Sequence, residues 1–230
     1  MEHLKLEEHY DVLCSSADPK YLLIHPDDSK DLSHAEHVCE YLVRHGASPF
    51  AMLNWPVSDW NRELSPWEAP PVFGDEPFGD GAEETLNRIL SVLPAYRAMF
   101  PRGTDAPVIL GGYSLAAFFA LWAVFRTDAF AAAVAASPSV WFPDWISFLS
   151  SQKIHTSCVY LSLGDREEKT KNPVMSAVGD CIRETHRILK EEKAVMECVL
   201  EWNPGNHFRD AGIRTAKGFL WSMRRLKSQS

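Results

Sequence analysis

A serine attacks an acyl carbon well only when a base takes its proton and a carboxylate steadies that base. One serine of this chain stands in a frame suited to that task. Gly112-Tyr113-Ser114-Leu115-Ala116 follows the apolar run Val108-Ile109-Leu110 and leads at once into an Ala-rich helical pattern. Gly-x-Ser-x-Ala at a strand-to-helix turn has the shape of a nucleophile elbow, which pushes the hydroxyl out at the carboxyl edge of a parallel sheet. The motif alone is weak, because about 0.2 chance matches are expected in a chain of this length. Its context carries the reading. Gly112 and Ala116 flank the turn closely, and a larger side chain at either position would collide across it. The bland alternative is an ordinary turn whose serine caps the helix.

The base should be a histidine at a strand end. Of nine histidines, His34, His37, His45, His155 and His186 fall on helices or away from strand ends, and His3 and His9 lie near the N-terminus. That leaves His25 and His207. His207 ends the loop Asn203-Pro204-Gly205-Asn206-His207 after the last strand, and it satisfies the order nucleophile, acid, histidine. The acid should follow the preceding strand, where Gly164-Asp165-Arg166-Glu167-Glu168 offers three carboxylates. Glu167 is the first choice, with Asp165 and Glu168 as alternatives. An oxyanion hole needs two backbone N–H groups. Leu115 supplies one. The other should come from His25-Pro26-Asp27-Asp28, read as the loop after the first strand. Pro26 has no N–H, so Asp27 is expected, with Asp28 the alternative. The two aspartate side chains should point away and cap the helix that starts near Asp31.

These groups need a scaffold, and the apolar pattern outlines one. Short strand-like runs at Tyr21–Ile24, Pro49–Leu53, Val108–Leu110, Phe130–Ala136, Cys158–Leu163 and Met196–Trp202 alternate with helical spacings. The helices are expected at Asp31–Arg44, Ala82–Met99 with Pro94 ending or kinking it, Leu115–Phe125, Val174–Leu189 and Gly212–Leu226. Such alternation implies crossovers and a doubly wound, mostly parallel sheet of about six to seven strands with helices on both faces. Tyr10–Cys14 is a candidate edge strand. Residues 54–81 break the rhythm, holding Trp55, Trp60, Trp67, Phe73 and Phe78 among several prolines. A connection this long is functional or disordered as a rule, and its aromatics argue for order. It reads either as a surface loop packed on itself or as a wall over the active site. Trp55, Trp60, Trp67, Tyr113 and Trp141 are candidate walls of an apolar substrate pocket.

Composition sets the outer bounds. The chain has 230 residues and a net charge of −8, which fits one α/β domain. It has no basic block, so nucleic acid and anionic membranes are poor partners. No apolar run approaches a membrane span, and charges stand where a signal peptide needs an apolar core. The five cysteines lack C-x-x-C spacing and read as reduced thiols in a cytoplasmic protein. His25, Asp27, Asp28, Asp31, His34 and His37 are ligand types for a divalent metal. Helix capping and a solvated face explain them as well, and neither metal nor cofactor is expected.

Gly112-Tyr113-Ser114-Leu115-Ala116, Ala136-Ser137-Pro138-Ser139-Val140-Trp141 and Gly205-Asn206-His207, in that order, resemble the α/β-hydrolase superfamily. Within it they are most similar to the esterase branch that includes esterase D and enterochelin esterase. The resemblance covers roughly residues 20–225 and implies a cofactor-free esterase with Ser114, His207 and Glu167 as its triad. Three departures stand out. Ala116 replaces the usual glycine, a glutamate-rich loop stands where aspartate is commoner, and the short stretch between the fourth and fifth strands leaves no room for a full cap domain. The expectation is a serine esterase acting on small-molecule esters of small or medium acyl groups. Acyl transfer or thioester hydrolysis on the same triad, and an inactive hydrolase fold that binds a ligand, are the competing readings.

Overall fold

The strands are β1 (Glu2–Leu6), β2 (Tyr10–Cys14), β3 (Tyr21–Asp27), β4 (Phe50–Pro56), β5 (Val108–Tyr113), β6 (Ala132–Ala136), β7 (Cys158–Gly164) and β8 (Glu197–Asn203). The computed structural model describes residues 1–28, 31–72 and 74–227. The strands form one eight-stranded sheet in the order β1-β2-β4-β3-β5-β6-β7-β8. The pairs β1–β2 and β2–β4 are antiparallel and every other pair is parallel. The sheet thus exceeds the six to seven strands expected, by way of an N-terminal hairpin. Its second arm, Tyr10–Cys14, is the anticipated edge strand. The first arm was not foreseen, because only Leu6 of its five residues is buried.

The central strands β5 and β6 carry no charged or amide side chain, as suits strands covered on both faces. Alternate residues serve opposite faces. Leu22, Ile24, Leu110, Ala133, Ala135, Val159 and Leu161 belong to one core cluster, and Leu23, Ile109, Val134 and Tyr160 to another. The first is covered by α3 (Ala82–Ala98), α4 (Leu115–Ala123), α5 (Trp145–Ser151) and α7 (Val178–Glu191). The second is covered by α1 (Ser33–Arg44) and α8 (Ala211–Lys227). Two short helices, α2 (Trp60–Glu63) and α6 (Pro173–Ser176), complete the set. Every residue of α4 is buried, so the helix behind Ser114 runs through the interior.

Several boundaries differ from the sequence reading. The strand expected to stop at Ile24 continues through His25, Pro26 and Asp27, paired with Asn54, Trp55 and Pro56. Its apolar run ends early only because His25 and Asp27 are buried polar residues. Helix α3 continues past Pro94 to Ala98. Proline removes one ladder bond there, and the buried stripe Leu86, Ile89, Leu93 and Tyr96 outweighs it. The Tyr96 hydroxyl also donates to the Ala51 carbonyl at 2.8 Å. The helix expected over 174–189 is divided at Ala177, after α6, whose N–H groups at Val174 and Met175 the Asn172 side chain caps. Between β6 and β7 the only helix is the seven-residue α5, and no cap domain intervenes. No helix among the described residues is long and apolar enough to cross a membrane.

Candidate active site

Ser114 sits between β5 and α4 with φ 58° and ψ −119°. A non-glycine residue at positive φ is strained, and such strain persists only where packing enforces it. The Ser114 N–H donates to the Ala136 carbonyl at 3.1 Å, and its own carbonyl accepts from Phe118 at 3.0 Å and Ser139 at 3.2 Å. Small neighbours make the turn possible. A Cβ on Gly112 would lie 2.7 Å from the Ala116 Cβ, the collision anticipated from the motif. Leu115 opens α4, so its N–H has no acceptor within the helix and lies at the positive end of the helix dipole.

Beyond the ends of β7 and β8 two more side chains converge on Ser114. His207 Nε2 lies 3.0 Å from Ser114 Oγ, and His207 Nδ1 lies 2.7 Å from Glu167 Oε2. An ionised Glu167 only accepts, so Nδ1 carries the proton and the Nε2 lone pair faces the serine hydroxyl. Glu167 is buried and heavily supported. Its Oε1 accepts from Gly164 N–H at 2.7 Å, from Ser137 Oγ at 2.7 Å and from Arg214 Nη1 at 2.8 Å. Burial pushes the Glu167 carboxyl up, but the hydrogen bonds from His207, Ser137 and Gly164 and the nearby His207 charge prevail, holding it below the ordinary glutamate range. The two alternative carboxylates are occupied elsewhere: Asp165 accepts from Gly205 N–H at 2.8 Å, and Glu168 pairs with Arg183 at 2.9 Å.

Arg214 was missed from sequence. It is 1% exposed and lies at the start of α8. Besides Glu167 it donates to Tyr113 Oη and Ser137 Oγ, each at 3.1 Å, and to the carbonyls of Pro204 and Asn206 at 3.2 and 3.1 Å. One guanidinium therefore fixes Glu167 and both ends of the loop carrying His207. A signal was available, since Arg214 stands four residues before Gly218 on the buried stripe of α8. Ser137, from the Ser-Pro-Ser motif after β6, donates to Glu167. Tyr113 lies beneath the site, its hydroxyl donating to the His207 carbonyl at 2.6 Å. Burial, with the Glu167 charge next, pushes that phenol up to about 12, so it keeps its proton.

Two chambers flank the Ser114–His207 pair. A cavity of about 250 Å³ is lined by Ser114, Leu115, Trp60, Phe78, Trp141 and Phe208, among others. A second, of about 420 Å³, touches His207, Glu167, Arg166, Lys169, Trp141 and Phe208 but not Ser114. Trp60 and Trp141 thus line the serine's chamber as expected, while two other candidate walls are placed elsewhere. Trp55 lies fully buried in β4, its ring stacked on Tyr10 at 4.9 Å. Trp67 donates to the Pro143 carbonyl at 3.0 Å and packs on Phe142 and Phe148 at 5.9 and 5.5 Å, anchoring its loop to the body. Tyr113 lines neither chamber. The connection after β4 is therefore both self-packed and a chamber wall. Its Phe73 lies outside the described residues.

The end of β3 corrects one expectation. Asp27 pairs with Pro56, and the Val57 N–H donates to the Asp27 carbonyl at 2.9 Å. Because Pro56 has no N–H, the companion bond of that parallel bridge runs from the Asp27 N–H to the Trp55 carbonyl. The Asp27 amide is thus taken up by the ladder, and Asp28 carries the first amide beyond it. The Asp27 side chain does not cap α1. Its Oδ2 lies 3.4 Å from His34 Nδ1, and α1 has no side-chain cap. His25, Asp27 and His34 place one ligand atom each within 4.8 Å of one another. Burial lowers the His25 pKa from 6.5 to about 4, so at neutral pH its imidazole is uncharged.

No protein-family model and no curated protein sequence matches the chain. Solved structures do match. The siderophore hydrolase EstA from Aspergillus nidulans superposes with a TM-score of 0.70 at 18% identity, over 96% of this chain and 90% of its own. The siderophore hydrolase EstB from the same organism gives 0.70 at 17% identity, over 97% of this chain and 94% of its own. The enterobactin esterase FES from Shigella flexneri gives 0.65 at 14% identity, over 94% of this chain and 55% of its own. At these identities the likeness establishes the fold alone: the chain has the α/β-hydrolase fold.

Proposed function

We propose that this protein is a serine carboxylic ester hydrolase. The observation that carries the reading is the unbroken chain of contacts Ser114 Oγ, His207 Nε2, His207 Nδ1 and Glu167 Oε2, at 3.0 Å and 2.7 Å. His207 takes the Ser114 proton as Oγ attacks the ester carbonyl. The tetrahedral oxyanion is held by the amides of Leu115 and Asp28. His207 then returns the proton to the alcohol oxygen as that bond breaks, leaving an acyl group on Ser114. A water, deprotonated by His207, releases the acid and restores the serine. Glu167 keeps the imidazole in the working tautomer and balances its charge when protonated. Esterases among the solved structures of the same fold support the choice of leaving group, and the chamber sizes favour small or medium acyl groups. A fluorophosphonate probe tests the reading. Ser114 should be labelled stoichiometrically and Ser114→Ala not at all, with turnover on a chain-length panel of esters. An unlabelled Ser114 in the native protein would sink it, and labelling without ester turnover would favour acyl transfer.

A further inference from the structure

The two chambers are chemically unlike, and their positions give each a role that rests on the esterase reading. The leaving oxygen must take its proton from His207 Nε2, so the alcohol departs on the histidine side. The larger chamber is lined by His207 and Glu167 but not by Ser114 or Leu115. His207 lines the smaller chamber as well, but that chamber alone holds Ser114 and the Leu115 amide, where the acyl carbon and its oxyanion sit. The acyl group is therefore assigned to it and the alcohol to the larger chamber across the imidazole.

The larger chamber carries charge with no protein partner. Within Asp165-Arg166-Glu167-Glu168-Lys169 every acid is engaged: with Gly205 N–H, with His207 and Arg214, and with Arg183. Neither base is. Among the described residues the Arg166 and Lys169 side chains make no hydrogen bond or ion pair, yet both border the cavity. On a chain of net charge −8, which repels anions at long range, two cations without an ion-pair partner beside the leaving-group chamber offer a local site for an anion. Apolar surface stands open beside them. Phe208 is 85% exposed and lines both chambers, with Trp141. Met175 lines the larger chamber as well. An exposed aromatic ring gains by being covered.

We propose that the alcohol moiety of the substrate is amphipathic, with an apolar or aryl stem against Phe208, Trp141 and Met175 and a terminal carboxylate between Arg166 and Lys169. A guanidinium suits this end, since its fork matches a carboxylate's two oxygens.

The test compares para-carboxybenzyl butanoate with para-carbamoylbenzyl butanoate, which differ in charge far from the scissile bond. Exposed charge pairs contribute a few-fold each, so the native protein should favour the carboxylate in kcat/KM by about tenfold. The ratio should fall close to unity in the double variant Arg166→Gln/Lys169→Gln and should shrink as salt rises. Equal rates for the two esters, or a preference that survives the double substitution, overturns the proposal. Binding of both esters to Ser114→Ala separates this idea from the esterase reading. Tighter binding of the carboxylate ester upholds the subsite even if the native protein turns over neither. Equal binding overturns it whatever the turnover.

Discussion

Glu167 is one carboxylate of three in a four-residue stretch, and geometry separates them. Only Glu167 reaches His207, while Asp165 and Glu168 hold Gly205 and Arg183. Glu167→Gln keeps the shape but leaves the imidazole without its charge partner and in the wrong tautomer, so kcat should fall by about 10³–10⁴-fold. Asp165→Asn and Glu168→Gln should stay within about threefold, because surface pairs contribute little. Steady-state kinetics on one ester decides it, and a large loss in Glu168→Gln with none in Glu167→Gln would reassign the acid. At this scale the convergence of Ser114, His207 and Glu167 was legible as geometry, because motif, strand order and loop position each constrain them. Arg214 was not, because a charged residue on an amphipathic helix reads by default as solvent-facing. The Asp27 amide was misplaced for a related reason: buried polar His25 and Asp27 disguise the last turns of a strand as a loop.

At the scale of the element, the elbow explains the departure at Ala116. Its methyl already lies against the place where a Gly112 side chain would stand, at 2.7 Å from the Cβ built there. Gly112→Val should therefore disrupt the turn, with loss of probe labelling at Ser114 and a clear fall in melting temperature. Ala116→Gly should be tolerated. It removes a methyl from the first turn of α4, lowering stability by up to about 1 kcal/mol while kcat stays within about threefold. Denaturant melts and kinetics on the two variants check the pair, and inactivity of Ala116→Gly would show that the methyl has a role in positioning Ser114. The division of 174–189 into α6 and α7 was hidden from the sequence because Val174 keeps helical spacing with Val178 and Ile182. Val174 is 43% exposed, so the spacing there reflects no packed face.

Over the whole molecule, the alternation of strands and helices was readable because each parallel strand is a short apolar run between amphipathic segments. The N-terminal hairpin was only half readable, since edge strands bury little. The same sheet holds a group whose titration involves the entire fold. His25 is 1% exposed, wedged between His34 and Phe219 at ring-centroid distances of 5.2 and 6.4 Å. Burial lowers its pKa from 6.5 to about 4. Between those values the unfolded chain binds a proton that the folded chain refuses, so stability falls as pH falls through that window. The full loss is about 3 kcal/mol, reached near the lower value. Glu167 acts in the same direction at lower pH. Its folded pKa is depressed, so its contribution is complete above about 4.5 and is lost as pH drops through the folded value. His25→Gln removes the first titration and leaves the second. Urea melts from pH 7 to pH 4 should then show a steep decline for the native protein and a much shallower one for His25→Gln, whatever the variant's stability at neutral pH. Equal slopes for the two proteins would mean that His25 is solvated or charged within the fold.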